Sequence, residues 1–431
     1  MITDLFASAD EYSYESASFL STRKKRQLHI FWLGFFIYCL SFTLPVSGFW
    51  SYTVENIFQL AGLLLLSFPA WGIAKFKFDN HYLKFFFLLF CLWTFITIAR
   101  GAHFLLDKTY QIPFLFDPFE GLLYFVPVVV LFPRTFQCYR KLFDVIVLFG
   151  IAFLIISIFF IKALMNPDVS SRESQGLVED LSLLSFPCGF ILMTLSYHPK
   201  KRRFFALFIT FLALLFTIFR ARRGLTFMYA NMILFAFILY LFRSKAKLLI
   251  MVFTISAGLI AALFLMDSKL ANVGLLRNFT ERLNEDTRSY VVQAYYDDMK
   301  PTDWAIGKGL NGKYYCPGVE KDEVFRNLSE TGYLTTILKG GLVSIGLFLL
   351  ITVPAMIKGL FLSKNLLSKA AAIWILMSLI DSYPSTTVGF TLSYLMVWIS
   401  VGICYSKEIR SMSDDAIRNF LYPEYNSNND D

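Results

Sequence analysis

Long apolar runs recur along the whole chain, and this feature restricts its fold more than any other. A run of about 18 or more apolar residues is long enough to cross a bilayer core of about 30 Å as a helix. The chain has 431 residues, of which 56% are hydrophobic and 17% are charged, whereas soluble domains carry about 25% charged residues. The sequence therefore predicts an all-α polytopic membrane protein.

The apolar runs predict twelve membrane spans, of which the fourth and the eleventh are short. We place them approximately at 28–46, 54–74, 82–99, 119–133, 142–161, 181–197, 204–219, 224–242, 248–266, 333–357, 370–380 and 388–405. The chain then divides into an N-terminal segment, nine spans, one long outer loop, three further spans and a tail, at 1–27, 28–266, 267–332, 333–405 and 406–431. Residues 411–431 are polar and rich in Asn and Asp, which predicts disorder.

The basic residues orient these spans. Seven clusters of Lys and Arg precede the first span or follow the even-numbered ones, so all seven fall on one side of the membrane. Short loops rich in Lys and Arg stay in the cytoplasm. Both termini are therefore predicted to be cytoplasmic, with an even number of spans. Because most basic residues lie in these loops, the net charge of +8 does not indicate a nucleic-acid partner.

One basic cluster breaks this pattern. Arg220, Arg222 and Arg223 lie between the seventh and eighth spans, on the predicted outer side. Guanidinium groups remain charged and offer forked donors that match phosphate oxygens, and Gly224 permits a close backbone approach. We predict that these arginines bind a diphosphate. The alternative interpretation is that they only flank a span, or that the topology is misplaced here.

The predicted outer loop supplies further cations. Its stretch 281–299 is polar with interleaved Tyr and Val, which indicates an amphipathic helix near the membrane interface. Arg288 lies on the polar face of that helix and is a second candidate phosphate ligand, with Arg282 as a supporting candidate. The alternative is that both are solvated loop residues. Gly307 and Gly309 follow and indicate a compact turn.

Charged residues also stand at the start of the tenth span and after the eleventh. Glu330 precedes the tenth span, where a carboxylate can serve as a general base toward a sugar hydroxyl. Lys339 lies inside the same span, so its ammonium must snorkel or face a polar cavity, and it is a supporting candidate. Asp381 is a further candidate carboxylate between the last two spans. The alternatives are a solvated interface residue for Glu330 and simple loop capping for Asp381.

Signatures of metal and cofactor sites are missing from the sequence. It contains no Cys-x-x-Cys pair, no His/Cys cluster at metal spacing, no P-loop and no dinucleotide fingerprint. It also lacks a soluble domain that could bind a nucleotide sugar. We therefore expect no metal and no cofactor, and an active site on the outer face that uses a donor already delivered through the membrane.

Three segments resemble those of a known membrane family. Arg222-Arg223-Gly224 resembles a Ser-Arg-Gly segment that opens a span, with Arg223 at the arginine. Arg288-Ser-Tyr, followed by Asp303-Trp304-Ala-Ile-Gly307-Lys-Gly309, resembles a pattern of an Arg, a helix and a Gly-x-Gly turn. Glu330-Thr-Gly-Tyr-Leu resembles the segment that opens the next span. The family is the O-antigen polymerase and ligase superfamily, which acts on undecaprenyl-diphosphate-linked glycans.

The resemblance implies a GT-C-like membrane glycosyltransferase of the bacterial inner membrane, inverting and independent of metal. It implies that the enzyme joins lipid-linked repeat units into O-antigen, capsule or exopolysaccharide. The diphosphate would lie against Arg223 and Arg288, with Arg220 or Arg222 as helpers and Glu330 toward the acceptor hydroxyl. A chain-length regulator protein is a candidate partner.

Two alternatives remain open at the level of sequence. An O-antigen ligase is chemically nearest, but the ligases carry His at the position of Glu330, which favours a polymerase. A flippase or other transporter of lipid-linked oligosaccharides would also be polytopic. It would favour paired halves with charges at the midplane, whereas the charges in this chain gather near one interface.

Overall fold

The structure is a computed structural model that describes residues 20–43, 51–76, 78, 80–101, 116–117, 119, 121–165, 172–241, 289–318, 324–384 and 389–422. The predicted ninth span, 248–266, and the candidate ligands Arg282 and Arg288 lie outside the described residues.

The described residues are almost entirely helical. The first part of the chain forms α1 (Thr22–Thr43), α2 (Tyr52–Ile73), α3 (His81–Arg100), a 3₁₀ helix (Gly121–Leu131), α4 (Phe136–Phe159), α5 (Ile161–Leu164), α6 (Arg172–Ser185), α7 (Cys188–Met193), a 3₁₀ turn (Leu195–Tyr197), α8 (Lys200–Phe219) and α9 (Arg223–Leu241). The second part forms α10 (Ser289–Asp298), α11 (Pro301–Ile306), β1 (Tyr314–Tyr315), β2 (Phe325–Arg326), α12 (Gly332–Phe361), α13 (Leu366–Asp381), α14 (Leu392–Tyr405), α15 (Lys407–Ser411) and α16 (Asp414–Leu421). The two short strands pair antiparallel.

Within the described part of the chain, seven helical segments are long and apolar enough to cross a membrane. They are α2, α3, α4, the run Ser174–Met193 that joins α6 and α7, α8, α9 and α12. The predicted spans 28–46, 119–133, 370–380 and 388–405 fall on α1, the 3₁₀ helix, α13 and α14, which are shorter or less apolar. The all-α membrane class is confirmed, while the number of spans stays a prediction.

Side-chain caps fix where the helices around the site begin. Thr331 Oγ1 accepts a hydrogen bond from the Leu334 backbone N–H at 3.2 Å, at the start of α12. Thr391 Oγ1 does the same for the Tyr394 N–H at 3.4 Å, at the start of α14. Each cap satisfies a backbone donor that the first turn of a helix leaves without a partner. Short polar residues therefore set the helix starts where the apolar pattern leaves them open.

The helices gather their basic residues at two ends. The arginine end carries Arg220, Arg222 and Arg223 after the last turn of α8. At the opposite end, Arg202 in the first turn of α8 pairs with Asp144 at 2.7 Å. Because α8 spans the distance between them, the two groups lie a full membrane-crossing helix apart.

The C-terminal segment corrects an expectation at that opposite end. Residues 411–431 are predicted to be disordered, but within 411–422 α16 forms an ordered amphipathic helix whose Ile417 and Leu421 are fully buried. Residues 423–431 lie outside the described residues. Phe420 stacks on Phe136 of α4 with ring centroids 5.2 Å apart, and Asp414 accepts a hydrogen bond from the Leu366 N–H at 2.7 Å. Overall polarity misled the prediction because the few apolar side chains share one helix face.

Residues 289–318 and 324–331, which we call the docked element, pack against the first turns of α12. Val291 and Tyr295 of α10 are buried in one apolar cluster with Leu338, and the Tyr295 hydroxyl donates to the Leu334 carbonyl at 3.0 Å. Helix α10 falls within the predicted amphipathic helix 281–299. Its apolar face covers protein rather than the membrane interface, because α12 offers a complementary apolar surface.

A glycine contact holds the docked element in place. Helix α12 breaks regular geometry at Gly341, where φ is 70°, and a Cβ there would lie 2.2 Å from the Ala305 carbonyl oxygen. A Cβ on Gly307, where φ is 69°, would lie 2.4 Å from the Lys339 carbonyl oxygen. Backbone meets backbone at both positions, so only glycine fits. The compact turn predicted from Gly307 and Gly309 is present.

Candidate active site

A cavity of about 610 Å³ lies at the arginine end, within the size range of small-molecule sites. Its walls come from α6, the turn between α8 and α9, α13, the start of α14, and the residues that precede α12. The lining combines two arginines, four carboxylates and several aromatic rings. Segments that are distant in sequence therefore converge on one site.

The turn between α8 and α9 places the arginines. The Ala221 N–H donates to the Ile218 carbonyl at 3.0 Å and the Arg222 N–H to the Thr217 carbonyl at 2.9 Å, while Ala221 has a φ of 50°. This is the Schellman arrangement, in which a left-handed residue ends a helix. Helix α9 then begins at Arg223, so its N-terminus, which favours anions, lies at the cavity wall.

The three arginines have different surroundings. The Arg220 side chain is fully buried and donates to the Ser174 hydroxyl, outside the cavity lining. Arg222 lines the cavity and forms an ion pair with Glu179. Arg223 lines the cavity and is half-buried. The structure therefore brings two of the three predicted arginines to the cavity and gives the third a structural contact.

Glu330 reaches the cavity, as a candidate site residue should. It lies between β2 and the N-cap of α12. One of its oxygens, Oε1, accepts a hydrogen bond from Arg326 Nη1 at 3.2 Å. Two hydrogen bonds fix the backbone on either side of Glu330. The Tyr314 hydroxyl donates to the Leu328 carbonyl at 3.2 Å, and the Gly332 N–H donates to the Ser382 carbonyl at 2.8 Å.

Lys339 does not line the cavity. Its ammonium is buried, and Nζ donates to the Gly312 carbonyl at 3.1 Å. It therefore neither snorkels nor faces the site. Its contact ties α12 to the glycine turn of the docked element, which is a structural use of a buried cation.

Asp381 and Asp180 are two further carboxylates that line the cavity. Asp381 at the end of α13 is buried, lines the cavity, and accepts a hydrogen bond from Asn231 Nδ2 of α9 at 3.3 Å. Asp180 of α6 lines the same cavity, and its Oδ2 makes no hydrogen bond within the described residues. Amide and carboxylate side chains within apolar segments are often functional, and this rule could have selected Asn231 and Asp180 from the sequence.

Aromatic rings complete the lining. Trp374 of α13 donates its indole N–H to the Ser393 carbonyl at 3.1 Å and packs on Phe186 with centroids 5.6 Å apart. Tyr394 lines the cavity beside them. A largely apolar wall with a few convergent polar groups is typical of a ligand site. The arrangement can hold an anion beside the arginines and polar hydroxyls beside the carboxylates.

No three His, Cys, Asp or Glu side chains of the described residues are grouped so as to hold a metal ion. Comparison of the chain with family models, with curated proteins and with solved structures found no match. The resemblance to the O-antigen polymerase and ligase superfamily therefore stays a prediction from the sequence motifs.

Proposed function

We propose that this chain is a membrane glycosyltransferase that polymerises undecaprenyl-diphosphate-linked oligosaccharide repeats. It would act at the outer face of the bacterial inner membrane, with both termini in the cytoplasm. The observation that supports this most is the cavity itself, because it joins Arg222 and Arg223 to Glu330 from a distant part of the chain. These are residues in which the sequence resembles the polymerase family.

In this mechanism the growing glycan places its diphosphate against Arg222 and Arg223, beside the N-terminus of α9. Arg288 would add a second cationic contact. The hydroxyl of a second lipid-linked repeat displaces the diphosphate from the anomeric carbon. Negative charge develops on the leaving phosphate, so fixed guanidinium groups stabilise the transition state more than the ground state. Glu330 orients the incoming repeat.

The position of the charges favours a polymerase over a flippase. The two arginines of the lining lie at the start of α9 and Glu330 lies just before α12, whereas a transporter holds its substrate near the midplane between repeated halves. A ligase would share the donor site and differ in its acceptor. The test therefore has to separate these three activities by their products.

The test uses a strain that lacks this chain, complemented with wild-type protein or single variants. We expect the deletion strain to accumulate single repeats on the lipid and wild type to restore a polymer ladder. Arg223→Ala and Arg288→Ala should lower polymer by about 100-fold or more, as loss of one electrostatic donor does in other enzymes. Arg223→Lys should also be damaging, because an ammonium lacks the fork.

Arg26→Ala is the matched control, because Arg26 is exposed in α1 and does not line the cavity. It should leave the ladder unchanged at equal protein level. A full ladder from Arg223→Ala at wild-type protein level would refute the donor site. Complete polymer left on its lipid in the deletion strain would indicate a ligase, and repeats trapped in the inner leaflet would indicate a flippase.

A further inference from the structure

The arginines and Asp381, which line the cavity, meet α9 at different heights. Arg222 and Arg223 stand where the helix begins, and Asn231, which holds Asp381, follows eight residues after Arg223. At 1.5 Å per residue these positions are roughly 12 Å apart along the helix axis. The cavity therefore has a cationic end, at the α8–α9 turn, and a second end against α13, which we call the α13 end.

Two carboxylates of the lining form no ion pair with another described residue, namely Asp381 at the α13 end and Asp180 of α6. Both line the cavity, and Asp180 Oδ2 is shielded from solvent without a hydrogen bond to any residue that the structure describes. The other two carboxylates of the lining are engaged, Glu179 by Arg222 and Glu330 by Arg326.

This difference separates Asp381 from Glu330 as a proton acceptor. Glu330 shares its Oε1 with an arginine 3.2 Å away, so its charge is already compensated. Asp381 is held in place by a neutral amide, through a hydrogen bond from Asn231. A general base must be fixed in position and keep a lone pair for the substrate. Asp381 meets both conditions, and Glu330 fits a role in positioning.

We infer that the α13 end of the cavity is the acceptor subsite, that it takes a neutral or amino sugar, and that Asp381 is the general base for its hydroxyl; this inference rests on the proposed polymerase function. The aromatic wall of Trp374 and Tyr394 gives this end the apolar surface that a sugar ring packs against. A uronic acid would bring a second carboxylate next to Asp381 in a desolvated site, where like charges repel strongly.

The chemical step balances without a further reactant. The acceptor hydroxyl oxygen forms a bond to the anomeric carbon of the donor, and the bond from that carbon to the diphosphate oxygen breaks. The electron pair of the broken bond stays on the lipid diphosphate, against Arg222 and Arg223. The hydroxyl proton moves to the Asp381 carboxylate and from there to water.

The test uses purified protein in lipid nanodiscs with the single-repeat lipid isolated from the deletion strain. Release of lipid diphosphate and growth of the ladder are measured for wild type, Asp381→Asn, Asp381→Glu and Asp297→Asn. Asp381→Asn keeps the size of the side chain and its contact with Asn231. Asp297 is exposed on α10, where its carboxylate accepts a hydrogen bond from Gln293 at 2.9 Å, so Asp297→Asn is the control for loss of a carboxylate elsewhere.

We expect Asp381→Asn to lower kcat by about 100-fold or more, the range for loss of a general base, with KM unchanged. The rise of kcat with pH should be present in wild type and absent in Asp381→Asn, which a structural role would not produce. Asp381→Glu should recover part of the rate, and Asp297→Asn should match wild type. Linkage analysis of the isolated lipid should find a neutral or amino sugar at the end that accepts the next unit.

The outcomes separate the two proposals. If wild type forms no polymer from its own lipid-linked repeat, the proposed function fails and the inference fails with it. If wild type polymerises and Asp381→Asn keeps its kcat and pH dependence, the base is refuted while the polymerase stands. A uronic acid as the accepting sugar would refute the acceptor subsite in the same way.

Discussion

Replacement of Gly341 by Ala should release the docked element from α12. Gly341 has φ 70° and ψ −175°, a conformation that is essentially restricted to glycine and costs another residue about 1–3 kcal/mol. The new Cβ would also lie 2.2 Å from the Ala305 carbonyl oxygen. Neither backbone can rotate away locally, because Ala305 lies within α11 and Gly341 is held between the two helical parts of α12. We therefore expect the two segments to separate rather than adjust.

The size of the effect follows from the contacts that separation breaks. The Lys308 N–H donates to the Leu338 carbonyl at 2.7 Å and the Gly309 N–H to the Lys339 carbonyl at 2.9 Å. Two such bonds contribute about 2 kcal/mol, which together with the backbone strain gives about 3–5 kcal/mol of local destabilisation. At 1.36 kcal/mol per factor of ten, amide protection in the docked element should fall roughly 10²–10⁴-fold.

Hydrogen exchange with mass spectrometry measures this directly on peptides that cover 301–316. Gly346→Ala is the matched control, because Gly346 lies in the same helix and a Cβ there meets no atom within 4 Å. That change should be neutral or stabilise α12 by about 0.5–1 kcal/mol. Equal protection in Gly341→Ala and Gly346→Ala would refute the argument that this glycine contact holds the docked element.

Two further predictions concern the two ends of the helices. Ala221→Gly should raise the thermal midpoint, because it removes the left-handed strain of about 1–2 kcal/mol that an L-residue carries at φ 50°; a lower midpoint by differential scanning fluorimetry would contradict this. Burial and the neighbouring Arg202 and Arg203 lower the pKa of His198 well below its usual value, so below about pH 6.5 the unfolded chain binds a proton that the folded protein excludes. Thermal stability should therefore fall as pH drops through that value, and His198→Gln should flatten the fall between about pH 7 and pH 5.

The positions of the long helices could be predicted because apolar length alone determines them. The predicted span 224–242 corresponds to Arg223–Leu241, and 204–219 corresponds to Lys200–Phe219. Helix α16 escaped the same reasoning, since its stability comes from two buried side chains, Ile417 and Leu421, that pack under the end of the bundle. Such a helix depends on a tertiary surface that composition does not reveal.

The candidate site was partly predictable for a related reason. Charge at a predicted interface selected Arg222, Arg223 and Glu330, and the structure places all three on one cavity. The charge pattern could not distinguish Arg222 and Arg223 from Arg220, because the left-handed turn at Ala221 sets the direction of each arginine side chain. Lys339 was selected only because it lies inside a predicted membrane span. Its partner is the Gly312 carbonyl of the docked element, a tertiary contact that the sequence does not reveal.

The ion pair of Arg222 with Glu179 explains how a substrate could use an arginine that already has a partner. Both side chains remain partly exposed, at 26% and 47%, and ion pairs in that setting contribute little net stability. A diphosphate can therefore replace the single carboxylate with two charged groups and bidentate geometry. Arg220 differs, since its side chain is fully buried and donates to Ser174. Breaking that contact would weaken the hydrogen bonding of a buried charge, which is costly. Under the proposed function, the pair with Glu179 would hold Arg222 in position before the substrate arrives, and the contact of Arg220 with Ser174 would hold the turn that carries both Arg222 and Arg223.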